Sequence, residues 1–118
     1  DLAFYSGDDM LNLPWLSIGA AGFVSVVGHV VGAQLATMIE HYREGRVTEA
    51  AEVHRQLLPA VTGIMTRTQG AIMAKAALNL VGQTGGHVRP PLVDATPQEI
   101  EMLRADLVAS GVKVMDGN

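Results

Sequence analysis

The sequence predicts an α/β fold in which one parallel βαβ unit at the start is followed by helices alone. Two observations carry this. The segment 2–5 (Leu-Ala-Phe-Tyr) is a short apolar run halted by Ser6-Gly7-Asp8-Asp9, and Gly22–Val27 is β-branched and aromatic, as expected of a strand buried on both faces. The stretch between them is long enough for a crossover helix and too long for a hairpin, so the strands should be parallel. Parallel pairs need covered faces and further neighbours. No third strand is legible downstream, so the expectation is the end of a larger α/β protein, with Asp1 an interior position of a longer polypeptide.

The crossover helix is placed over about Met10–Ile18, with Asp8 or Asp9 as N-terminal cap and Gly19 as stop. Pro14 lies inside it, so Asn12 is an alternative point of restart. A loop, Gly28–Gly32, then leads into a helix over about Ala33–Glu44, where Leu35, Met38, Ile39 and Tyr42 form one apolar stripe. Gly45 ends that helix, and His41 and Arg43 suit its negative end. Thr48 is the expected cap of a longer helix to Met65, with a kink at Pro59.

A fourth helix, about Ala71–Val81, is apolar nearly all round except for Lys75 and Asn79. An irregular connection follows through Gly86, Arg89 and Pro91. Thr96-Pro97-Gln98-Glu99 combines a threonine cap, a proline at the first helical position and a glutamate two residues later. The helix it starts carries Ile100, Leu103 and Leu107 to a stop at Gly111, and the residues from Val114 onward are expected to fray.

Composition excludes several classes of function. The chain is 48% hydrophobic and 17% charged, which argues for a packed core and against disorder. A net charge of -4 with eight scattered Lys and Arg gives no footprint for nucleic acid. The absence of cysteine removes disulfides and thiolate chemistry and fits a reducing, cytoplasmic setting. Leu13–Leu35 holds no charged residue, but its glycines, serines, His29 and acidic flanks argue against a membrane span.

Few side chains are placed for chemistry. Asp8 and Asp9 stand where a strand ends, the position at which open sheets and barrels bind ligands, but helix capping is the plainer role. His29, His41, His54 and His87 have no metal-ligand spacing. His29 comes nearest to a pocket, though a hydrogen-bonded structural histidine is the simpler reading. Lys75 offers either a desolvated amine able to form a Schiff base or, preferably, an ammonium whose stem lies along the apolar face and whose head reaches a carbonyl or carboxylate. On its own residues the chain holds the wall of a site and no reactive centre.

Tyr5-Ser6-Gly7-Asp8-Asp9, then Leu13-Pro14, then Gly19-Ala20-Ala21-Gly22-Phe23-Val24-Ser25-Val26 resembles the pattern of the dihydrodipicolinate synthase family of pyruvate-dependent Schiff-base lyases and aldolases. The likeness continues through Gly45–Ala50, the lysine-bearing apolar helix, the Gly86, Arg89 and Pro91 connection and the final helix. It implies a (β/α)8 TIM barrel, with residues 1–44 its last two βα units (strands seven and eight) and 45–118 a helical extension. It also implies condensation of pyruvate with aspartate semialdehyde in lysine and diaminopimelate biosynthesis, through a lysine imine formed upstream of Asp1. No catalytic residue, metal or cofactor then falls on this chain, which alone would be inactive. Two substrate-binding positions carry over by resemblance, Gly7 by giving room and Val24 by its side chain and backbone carbonyl.

Lys75 matches the helical lysine of the extension and not the imine-forming one. The implied partners are the N-terminal portion of the same enzyme, small-molecule substrates and further copies in a dimer or tetramer. His29, and Thr68–Ala71 ahead of Lys75, depart from the family pattern and leave the aldehyde substrate open. The alternatives are another pyruvate aldolase or lyase, or a helical interaction module without enzymatic activity.

Overall fold

Parallel pairing of two short strands is the first feature of the computed structural model, which describes residues 1–116. Strand β1 (Tyr5–Ser6) lies beside β2 (Gly22–Phe23), with Tyr5 opposite Gly22 and Ser6 opposite Phe23. Backbone bonds from Ala21 N to Phe4 O and from Val24 N to Ser6 O, both 2.8 Å, continue the ladder at either end. The crossover is a 3-10 turn (Asp9–Leu11) running into helix α1 (Asn12–Ser17). Asp8 caps the turn by accepting from Met10 N at 3.0 Å. Gly19 reverses the chain at φ +96°, a value costly for any residue with a Cβ.

Both strands differ from their expected limits. The first is shifted toward Ser6, and Leu2 is 93% exposed. The second ends at Phe23, because the N–H groups of Val26 and Val27 are taken by the Asp9 carboxylate rather than by a neighbouring strand. Burial on both faces is not observed: Val24 is 71% exposed.

Helix α2 (Gly28–Arg43) begins within the expected loop and contains a kink at Val31, whose φ of -125° leaves the helical region. Gly45 (φ +78°) closes it, and α3 (Val47–Met65) follows at once. Arg46 occupies the cap position of α3 without a side-chain bond, so Thr48 is not the cap but lies in the first turn. Helix α3 continues through Pro59, which removes one donor from the ladder. The next N–H, of Ala60, donates to Ser110 Oγ at 2.8 Å.

Helix α4 (Gly70–Leu80) is capped by Gln69 and α5 (Pro97–Ala109) by the Thr96–Glu99 capping box. The apolar stripes of α2 to α5 meet in one core centred on Met38, Ile64, Met73, Leu103 and Leu107, all fully enclosed. Glycine makes the closest helix approach possible. A Cβ on Gly63 would lie 2.6 Å from Asp106 Oδ2 and 3.1 Å from Leu103 Cδ1. As far as Met115 the tail is held against this core, where the sequence predicts fraying from Val114. Val112 is buried, Met115 N donates to Leu80 O at 2.7 Å, and Arg104 donates to Met115 O at 2.6 Å. The part of that expectation on 117–118 lies outside the described residues.

Candidate functional site at the strand ends

The C-terminal ends of β1 and β2 lie side by side and bring together the two positions singled out from the sequence. Gly7 follows directly on Ser6, and Val24 N donates to Ser6 O, so Gly7 and Val24 flank one ladder bond. A Cβ placed on Gly7 would meet nothing within 4 Å among the described residues, and Val24 faces outward. Ser6 beneath them is buried; its hydroxyl donates to Asp8 O at 3.0 Å and accepts from Asp8 N at 3.3 Å, which tightens the turn.

The two aspartates do different work. Asp8 is exposed and caps the 3-10 turn, as the sequence suggested. Asp9 is only 4% exposed, and its carboxylate crosses to the far end of β2. Oδ1 accepts from Asn12 Nδ2 at 2.9 Å and from the Ser25 hydroxyl at 2.5 Å; Oδ2 accepts from Val26 N at 2.9 Å and Val27 N at 3.1 Å. Charge-assisted bonds of this kind are about twice as strong as neutral ones, and here they balance burial of the charge. Asn12 is also buried, and its Oδ1 has no partner among the described residues. Sequence reasoning missed this network, since nothing local links position 9 to positions 25–27.

Lys75 lies elsewhere. It borders a cavity of about 680 Å³ between α4, the 82–95 connection and α5, with Asn79, Gln83, His87 and Asp94 among its other polar neighbours. Its ammonium donates to Gly85 O at 3.0 Å and His87 O at 2.8 Å, so it fastens the connection to α4. That is the preferred sequence reading of this lysine. Asp94 secures the same connection by accepting from Val88 N at 2.9 Å and pairing with His87 Nδ1 at 2.5 Å. These two bonds, the backbone one foremost, hold the Asp94 carboxyl below its usual range.

His29 stands exposed in the first turn of α2 beside a cavity of about 390 Å³ that Phe23, Ser25 and Leu35 also line. His54 is half-buried in α3, and burial, with the Arg55 charge second, lowers its pKa. Among the described residues no three His, Asp or Glu come together as a metal site, and no helix is long and apolar enough to cross a membrane.

A profile of the dihydrodipicolinate synthetase family matches residues 1–110. The chain belongs to that family. Within it, the chain is 54% identical over 113 residues to 4-hydroxy-tetrahydrodipicolinate synthase 2 of Streptomyces coelicolor, covering 96% of this chain and 38% of that protein. It is 57% identical over 111 residues to the 4-hydroxy-tetrahydrodipicolinate synthase of Acidothermus cellulolyticus, covering 94% and 36%.

Among solved structures it resembles the dihydrodipicolinate synthase of Thermotoga maritima, with a TM-score of 0.87 and 36% identity over 94% of this chain and 37% of that one. It also resembles DHDPS from Cyanidioschyzon merolae, solved with lysine bound, with a TM-score of 0.86 and 39% identity over 94% and 37%. The chain thus spans under two-fifths of the length of these relatives. The helical α/β arrangement described above is the one that this family member shares with both structures.

Proposed function

We propose that this chain supplies strands seven and eight and the helical extension of a (β/α)8 barrel lyase that condenses pyruvate with aspartate semialdehyde in lysine and diaminopimelate biosynthesis. The observation that carries the reading is the family match over residues 1–110, joined to relatives more than half identical that bear the synthase name. The geometry agrees with it. Barrel enzymes bind substrate at the C-terminal ends of their strands, and Gly7 and Val24 stand at that end of both strands present.

In this reading, a lysine outside residues 1–118 forms the imine with pyruvate, and the derived enamine attacks the aldehyde. Gly7 leaves space for the keto acid, and Val24 presents its carbonyl and side chain to the pyruvate end. Lys75, with its ammonium held by two carbonyls, is a structural residue. The remainder of the barrel covers the outward-facing Leu2 and Tyr5 and pairs with the free edges of both strands. The complete enzyme works in the cytoplasm as a homo-oligomer, a dimer or tetramer, without metal or organic cofactor.

Treatment of the complete polypeptide with pyruvate and borohydride, followed by peptide mass spectrometry, tests this. The expected pyruvyl adduct sits on a lysine outside residues 1–118. An adduct on Lys75 would overturn the site assignment, and no adduct would overturn imine chemistry altogether.

A further inference from the structure

The Asp9 carboxylate reaches 16 to 18 residues along the chain, and the positions it holds are unusual for a helix cap. Helix α2 begins at Gly28, so a capping side chain would bond inside the first turn. Asp9 instead takes Val26 N and Val27 N, both ahead of that turn, together with the Ser25 hydroxyl. Ser25 Oγ in turn accepts from Gly28 N at 2.9 Å. Within the helix entry, Gly28 N is thus taken by Ser25, and Val30 N and Val31 N go to Val27 O, each at 3.0 Å. The carboxylate is therefore spent on the segment between β2 and α2.

That segment contains the Val24–Ser25 peptide. On one side, Val24 N is fixed to Ser6 O at 2.8 Å. On the other, Ser25 is held by its hydroxyl and Val26 by its N–H, both on Asp9. With both flanks anchored, this planar peptide can turn its carbonyl only by opposed changes of Val24 ψ and Ser25 φ, which the allowed backbone regions limit. We propose that Asp9 is a positioning residue that fixes the direction of the Val24 carbonyl at the pyruvate end of the site. This rests on the lyase reading above. Its physical basis is preorganisation: a dipole already aimed at the reacting keto acid needs no reorientation as charge develops. Asp9 itself is too buried and too fully bonded to touch substrate.

The test uses Asp9→Asn, Ser25→Ala and Ser25→Thr in the complete enzyme. Asn keeps the shape of Asp9 but turns one acceptor into a donor, so one half of the clamp opens. The expected result for Asp9→Asn is a fall in kcat of about 10- to 100-fold, with KM for pyruvate changed less than about threefold and the borohydride-trapped pyruvate adduct still formed. Ser25→Ala is expected to lose about 3- to 10-fold in kcat, and Ser25→Thr, which keeps the hydroxyl, to recover it.

The positioning role is overturned if Asp9→Asn folds and keeps its kcat, or if kcat per trapped adduct is unchanged so that only the folded fraction has dropped. Should Asp9→Asn fail to fold, the serine pair decides: a threonine variant no better than alanine rejects the role. An unmodified enzyme that forms no pyruvate adduct defeats the lyase reading itself, a different result from any of these.

Discussion

Between Leu2 and Val24 several large apolar side chains face outward, Leu2, Tyr5, Ile18 and Val24 among them, with Leu16 buried; between Ile64 and Leu107 most are enclosed, Ile64, Met73, Leu103 and Leu107 completely. The helices can cover one another because each presents a stripe that a neighbour fills. The two short strands bury Ser6 and Gly22, but among the described residues their outer edges stay unpaired and Tyr5 and Val24 stay uncovered. What order the strand region has comes from polar anchoring at Asp9, and the order of the helical region comes from packing. The difference assigns separate tasks: the helices stabilise, and the strand ends present a surface.

The comparison is most open to attack at its strongest point. Leu103→Ala, at the centre of the helical core, is expected to cost about 3–4 kcal/mol in urea unfolding, as a fully buried leucine truncated into a cavity does. A loss under about 1 kcal/mol would mean that the core is not where stability resides. Gly63→Ala forces a methyl against Asp106 and Leu103 and is expected to cost about 2 kcal/mol by the same measurement. Removal of the Lys75 clamp by Lys75→Met should cost about 1 kcal/mol and speed amide exchange in the 82–95 connection, leaving the amides of α3 protected.

On the other side of the comparison, Val24→Ser should change stability by less than about 0.5 kcal/mol in this chain, because the side chain already faces water. The smallest effect is a pH dependence. The carboxyl pKa of Asp94 is lower folded than unfolded, so its contribution is present above the unfolded value of 3.8 and is lost as pH falls through the folded one. Asp94→Asn should lower thermal stability slightly at neutral pH and converge with the unmodified chain as pH falls below about 4, which flattens the acid limb.

Helices were legible because their signals are local. The Thr96–Glu99 box, the glycine stops at 19, 45 and 111 and the Leu35–Met38 stripe all act within a turn or two of themselves. The strands were legible in kind and in parallel sense but not in extent. Val24–Val27 is as β-branched as any strand, yet a carboxylate far back in the sequence withdraws its N–H groups from pairing. Thr48 was misread as a cap because Gly45 already reverses the chain, which starts α3 two residues earlier. Tail order was illegible for the same reason as Asp9: Met115 binds Leu80, a partner that only folding supplies. At the candidate site, Gly7 and Val24 are proposed from the family pattern, whereas Asn12 and Ser25, polar residues among apolar ones, carried no signal of their joint partner.

The bond from Ala60 N to Ser110 Oγ works as a key in a lock between two helices. Apolar stripes alone would let α5 slide along α3 by a turn with modest loss, since one leucine resembles the next. A slid helix would leave the Ser110 hydroxyl buried without its partner, and such a group costs about 1–3 kcal/mol. One buried hydroxyl thereby selects a single alignment of α5 on α3.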